Sequence, residues 1–148
     1  MSRTTYAIYI PKAGLTNLQI GLASGVWGWR QSAFDTTDSA SVIRSMKVDD
    51  LALMVHGGPN PRVGRYGWTG AHMAGIDVCK VVRRSHRSTS PVWPDDLYPD
   101  RIGIVLVDSI PPGVDLGRET FEALRMSANK RGVAVVVSST TPDWWRNR

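Results

Sequence analysis

The heptapeptide Ser24-Gly25-Val26-Trp27-Gly28-Trp29-Arg30 sets two tryptophans among two glycines. It holds too much glycine for a long regular element, so it reads as a loop or a short strand at a sheet edge. Upstream, Thr5 to Ile10 is a run of β-branched, aromatic and apolar residues that Pro11 ends, the pattern of a strand. Leu15, Leu18 and Leu22 follow at helical spacing, and Gly25 supplies the stop. Downstream, Asp35 to Asp38 read as a turn and cap, Ser39 to Met46 as a short helix, and Leu51 to Val55 as a buried strand.

The second half continues the mixture. His56 to Gly70 reads as a long loop rich in glycine and proline, and loops of that length in small domains are usually functional or mobile. Ala74 to Val82 reads as a strand, Arg83 to Pro91 as a basic Ser/Thr-rich connection, and Ile102 to Asp108 as another strand. Pro111, Pro112 and Gly113 make a turn. Phe121, Leu124 and Ala128 mark one helix face, closed by Lys130, Arg131 and Gly132, and Val133 to Ser138 is a last buried strand. Trp144 and Trp145 in the tail read as packing back on the body, or as a contact with a following domain. No repeat or linker interrupts the chain. Residues 1–148 therefore read as a single α+β domain, built on a small, curved or barrel-like sheet of five to six strands flanked by about three helices.

Composition narrows the function. The chain has 148 residues, 42% hydrophobic and 21% charged, which suits one soluble domain with its own core. No apolar run approaches the roughly 20 residues a membrane-spanning helix needs. The opening MSRTTYAIYI lacks the design of a signal peptide, and the lone Cys79 has no internal disulfide partner, so a cytoplasmic setting is expected. Eighteen Lys and Arg against thirteen Asp and Glu give a net charge of +5 and a pI near 9.8, a balance that favours polyanions such as nucleic acid. Six tryptophans against two phenylalanines favour interfaces and base stacking over a plain core.

Catalysis is hard to place. His56, His72 and His86 lack metal-ligand spacing, and Cys79 stands alone in a strand, as a buried small apolar group would. No phosphate loop, nucleophile elbow or dinucleotide fingerprint is present. Asp95 and Asp96, read as strand neighbours, point to opposite faces and form no acid–base pair. No catalytic residue, metal or cofactor is assigned.

The aromatic motifs come in a telling order. Ser24-Gly25-Val26-Trp27 resembles the "GVW" motif of YTH domains, and Asp50 to Val55 resembles the family's next apolar strand. Ala74-Gly75-Ile76-Asp77-Val78 resembles its glycine-led return strand. Pro91-Val92-Trp93-Pro94-Asp95-Asp96-Leu97-Tyr98 resembles the segment with the second cage tryptophan, and Asp100 to Pro112 the strand and proline turn after it. Met46-Lys47-Val48-Asp49-Asp50-Leu51 resembles the "MKVGD" entry of EVE domains, which share the PUA-like superfamily with YTH domains. The matches are collinear over residues 5 to 112, and the prokaryotic style of the sequence points to the EVE side.

That resemblance implies a PUA-like pseudo-β-barrel with a pocket for one modified base, flipped out of its strand. It implies Trp27 and Trp93 as cage walls, Asn17 on the base edge, a backbone contact at Gly28, and Leu97 or Tyr98 as floor or third wall. Trp29 and Trp68 are extra aromatics, with Trp68 a candidate for the pocket rim. Arg30, Arg62, Arg65, Arg83, Arg84 and Arg87 are candidates for the flanking phosphates. Physics agrees: a stacked, paired base hides its Watson–Crick edge, so a reader must take the base out of the stack. The expected ligand is methylated DNA, with the chain as a non-enzymatic specificity module of a modification-dependent restriction system, beside a fused or separate nuclease. The rivals are an RNA or tRNA reader, an ASCH-like hydrolase or nuclease of modified nucleosides, and a small-molecule sensor.

Overall fold

Residues 3–34, 37–60 and 62–146 are described by a computed structural model; the side chains of Phe34, Thr37, Arg65, Tyr66 and Arg146 lie outside that description. Strand β1 (Thr5–Ile10) is buried at every position, because it runs between β3 and β6 at the centre of the chain's packing. Helix α1 (Leu15–Ser24) stops where Gly25 takes φ 74°, the left-handed conformation that glycine adopts without cost. Next come β2 (Val26–Trp29), α2 (Thr37–Ser45), β3 (Leu51–His56) and a single helical turn, α3 (Arg65–Trp68). The long strands β4 (Gly75–Arg87) and β5 (Asp100–Ile110), helix α4 (Gly117–Asn129), β6 (Val135–Ser138) and the short α5 (Asp143–Arg146) complete the fold.

The six strands form one mixed sheet in the order β2-β5-β4-β3-β1-β6, with β1 parallel to β3 and the other pairs antiparallel. Side chains alternate between its faces. On one face Tyr6, Ile8, Ile10, Met54, Val81, Ile102 and Ile104 pack with Leu18 of α1 and with Ile43 and Met46 around α2. On the other, Leu51, Leu53, Val55 and Val78 pack with Phe121 and Leu124 of α4 and with Trp68.

The sheet is α+β as expected but is not a closed barrel. Among the described residues no ladder joins the edge strands β2 and β6. Register shifts in the β4–β5 pair near Val78, Val81 and Arg83 bend the ribbon. The edges meet through one side chain: Trp29 Nε1 on β2 donates to Gly132 O, three residues before β6, at 3.0 Å.

Several sequence readings change. The basic run 83–87 belongs to β4 rather than to a connection, because pairing with β5 carries the strand on to Arg87↔Asp100. The 56–70 segment contains α3, anchored by Trp68. The turn expected at 35–38 falls partly on residues outside the described set. The tail packs on the body: Trp144 Nε1 donates to Thr120 Oγ1 at 3.1 Å and Trp145 Nε1 to Asp108 Oδ2 at 3.0 Å.

Candidate functional site

The curl of the sheet leaves a cavity of about 860 Å³ in the seam between its two edges. Strand β2 contributes Trp27, Gly28 and Trp29, and the start of α1 contributes Asn17. The β4–β5 loop contributes Trp93, Asp95 and Tyr98. The far side is the α4–β6 turn, Ala128 to Val133.

Trp27 and Trp93, 66 residues apart in sequence, meet in this cavity. Their centroids lie 6.1 Å apart at an interplanar angle of 83°. Tyr98 stands against Trp93 in the same way, at 5.4 Å and 82°. The two indoles are therefore not parallel slabs around a gap, as a sandwich of two walls would require. Trp93 is 6% exposed. Its Nε1 donates to the Asn17 carbonyl at 2.9 Å, and its six-membered ring abuts Gly28, where an added Cβ would stand 3.0 Å from Cη2 and Cζ3. Trp93 thus forms a floor, while the less buried Trp27 and Tyr98 stand upright beside it. Trp27 Nε1 is buried and has no partner among the described residues.

A polar cluster rims this floor. The Tyr98 hydroxyl donates to Asp95 Oδ2 at 2.6 Å, and Asn17 Nδ2 donates to Asp95 Oδ1 at 2.9 Å. Asn17 Nδ2 and Arg30 Nη2 each approach the same hydroxyl at 3.4 Å. Arg30 Nε bonds Asp96 Oδ2 at 2.9 Å, and its guanidinium lies 5.3 Å from the centre of the Tyr98 ring. The bonds from Tyr98 and Asn17 hold the Asp95 carboxyl below the usual carboxylate range, so it is ionised at neutral pH. Burial, then the bond to Asp95, pushes the Tyr98 phenol up. Asp95 sits in a bend and Asp96 in the irregular backbone after it, neither in a strand, and each has its own partners. Asn17 is the third residue of α1 and makes no helix cap; its amide hydrogens face Asp95 and Tyr98, leaving Oδ1 as the acceptor available to a ligand.

Tyr98 has φ 46°, a conformation that costs a non-glycine residue roughly 1–3 kcal/mol and that clusters at functional sites. Arg131, across the cavity, also has positive φ, at 58°.

The remaining candidates disperse. Trp29 is 5% exposed and spends its N–H on Gly132, so it closes the seam more than it presents a surface. Leu97 is 37% exposed and outside the cavity. Trp68 is not at the rim: it is 0% exposed on the opposite face, edge-on to Tyr9 at 5.4 Å, because α3 folds it into the α4 side of the core. Arg62, Arg83, Arg84 and Arg87 are exposed and outside the cavity. Arg87 is tied to Gln31 Oε1 at 2.7 Å and lies 3.7 Å from Asp100. The Arg65 side chain lies outside the described set. Sequence reasoning missed Lys130 and Arg131 as cavity residues. Their signal, a basic pair before a glycine stop, reads equally as an ordinary helix end.

No protein-family model matches the chain, and no curated protein matches it. In overall shape it resembles a protein from Pseudomonas putida, with a TM-score of 0.54 and 14% identity over 97% of this chain and 95% of that one. A Pseudomonas syringae protein gives 0.53, at 14% identity over 97% and 95%. A YTH domain from Zygosaccharomyces rouxii, in complex with N6-methyladenosine RNA, overlaps 75% of this chain and 66% of its own at a TM-score of 0.43 and 10% identity. At such identities the likeness to the Pseudomonas proteins is one of fold.

Proposed function

We propose that this chain is a non-enzymatic reader, which holds one modified base of a nucleic acid in the seam cavity. The observation that carries the reading is the convergence of Trp27, Trp93 and Tyr98 with Asn17, Asp95 and Arg30 in one cavity of a basic protein. Stacking on an aromatic face contributes roughly 1–3 kcal/mol per base. Burying a methyl group adds on the order of 1 kcal/mol. The ionised Asp95, at the exposed rim, repels phosphate from the Trp93 floor, so a base is favoured against that floor and the backbone outside it. Asn17 Oδ1 and the Asp95 carboxylate are acceptors, suited to a base edge that offers N–H groups.

The same groups are poor catalysts. Asp95 is a weak base because its pKa is held down, whereas a general base works best near the operating pH. Cys79 is buried in the core, its thiol pushed up to about 12 by desolvation and then by Asp77. The favoured polymer is DNA, on the sequence resemblance to prokaryotic modification readers, with any cleavage left to a separate nuclease.

The test is a binding panel of short DNAs and RNAs, each carrying one modified base, beside unmodified controls. One modified DNA is expected to bind at least about tenfold tighter than its control, and Trp27→Ala to lose about ten- to hundredfold of that affinity. Weak binding to unmodified strands, resting on phosphate contacts, should persist. A preferred RNA ligand would replace the DNA assignment. Equal affinity for every strand, or chemical change of the bound base, would refute the reader.

A further inference from the structure

Arg101 is a buried arginine with no carboxylate partner among the described residues. It is 3% exposed, at the start of β5, where it pairs across the sheet with Gly28. Its donors fan out over the β4–β5 loop. Nε donates to Tyr98 O at 3.0 Å and Nη1 to Ser88 Oγ at 3.0 Å. Nη2 donates to Leu97 O at 3.0 Å and also to Ser90 O. The guanidinium carbon lies 5.4 Å from the centre of the Trp93 ring. All four hydrogen-bond partners are loop residues, from both ends of the segment that delivers Trp93, Asp95 and Tyr98 to the cavity. Arg101 itself is not among the residues lining that cavity.

A buried charge without an opposite charge is costly unless its donors are satisfied. Burial draws the Arg101 pKa downward, the direction that cost requires. Three backbone carbonyls and one hydroxyl share the charge here. Only a planar guanidinium, with donors in a fixed fork, reaches them together; an ammonium group is a single point with three donors. Residues 88–99 form no regular element, so contacts from outside the loop must hold it: Asn17 and Arg30 take Trp93, Asp95 and Asp96 on the cavity side, and Arg101 takes both ends of the loop, including the carbonyl of the strained Tyr98. Strain of that kind persists only where surrounding contacts over-determine it.

We infer that Arg101 is the positioning residue of the site: it pins the 88–98 loop so that Trp93 and Tyr98 are held in place at the cavity before a ligand arrives. This rests on the base-binding reading for its purpose, but not for its mechanics. A loop held in place beforehand needs no ordering when the ligand arrives, which preserves affinity.

The experiment compares wild type with Arg101→Lys and Arg101→Ala in the full chain. The ligand-free readout is the indole N–H resonance of Trp93, which is bonded to Asn17 O. The internal control is that of Trp29, bonded to Gly132 O on the far side of the seam. Expected is a folded Arg101→Lys protein in which Trp93 N–H exchanges with solvent faster while Trp29 N–H is unchanged. Affinity for the preferred modified strand should fall about tenfold or more, the scale of losing charged hydrogen bonds. Added guanidinium ion, at concentrations too low to denature, should restore part of the Trp93 protection and of the affinity in Arg101→Ala. Faster Trp93 exchange in a protein whose wild type binds no modified strand would leave the positioning role standing and remove the base-binding reading. Wild-type protection and affinity in Arg101→Lys would overturn the positioning role. So would global unfolding of both variants, since Arg101 would then support the whole fold and not the loop.

Discussion

Gly28 is where a single methyl group interrogates the site most directly. Built at Gly28, a Cβ would stand 2.7 Å from the Tyr98 carbonyl oxygen and 3.0 Å from two carbons of the Trp93 ring. Neither neighbour yields cheaply. Tyr98 O is held by Arg101 Nε, and Trp93 is fastened by its indole bond to Asn17. Overpacking of this kind costs about 1–3 kcal/mol. Exchanging a strand glycine for alanine returns roughly 0.5–1 kcal/mol of backbone entropy. Gly28→Ala should therefore destabilise the protein by up to about 2.5 kcal/mol, centred near 1 kcal/mol, which lowers Tm by about 2–4 °C at that centre for a chain of this size. Gly64→Ala is the control, because a Cβ there meets nothing within 4 Å; its stability should stay within about 0.5 kcal/mol of wild type. Urea titration with far-UV circular dichroism measures both. Indole fluorescence should report a moved Trp93 in Gly28→Ala alone. A Gly28→Ala protein with wild-type Tm, wild-type fluorescence and undiminished binding would refute the packing of Trp93 on the β2 backbone.

Trp29→Phe removes the donor to Gly132 O and should cost about 1–3 kcal/mol, read by the same denaturation; an unchanged midpoint would mean the bond does not hold the sheet edges together. The Asp95 carboxyl has a depressed folded-state pKa, so its contribution is present above the unfolded value and fades as pH falls through the folded one. Asp95→Asn should therefore lose that contribution near neutrality and show a flatter acid limb, the two stability–pH curves converging below the ordinary carboxylate range; parallel curves with an identical acid limb would contradict that. Cys79 should resist an aromatic disulfide reagent in the native protein and react only after unfolding, because its thiol is buried and pushed up to about 12; rapid native-state labelling would show that strand β4 opens. Arg83, Arg84 and Arg87 changed together to Ala should flatten the salt dependence of binding by nearly one unit of slope for each phosphate no longer neutralised; an unchanged slope would limit them to the outer surface of β4.

Local chemistry wrote much of the architecture into the sequence. Thr5–Ile10 forms a strand because its β-branched and aromatic residues suit a pleated, buried surface and Pro11 cannot extend it. Leu15–Ser24 forms a helix and ends at Gly25 because glycine alone enters the left-handed region freely. The order of strands and helices, the burial of β3 and the glycine stop after α4 follow from the same short-range rules. The meeting of Trp27 with Trp93 came from a resemblance in motif order, since no local rule joins residues 66 apart.

Tertiary structure decided the rest, because pairing register and loop path depend on partners remote in the chain. Arg83 to Arg87 look like a solvated turn until β5 pairs with them, and Trp68 looks like a rim residue until α3 turns it into the core. Trp93 packs on Gly28, 65 residues earlier in the chain, so its angle to Trp27 depends on a contact between remote segments. The sheet stays open because bulged, coiled strands bring β2 and β6 within one side-chain bond of each other but not within a ladder. Nothing in the sequence sets Arg101 apart from the other Lys and Arg residues. Only the fold buries it under a loop whose carbonyls need its donors, and there it organises the walls of the cavity.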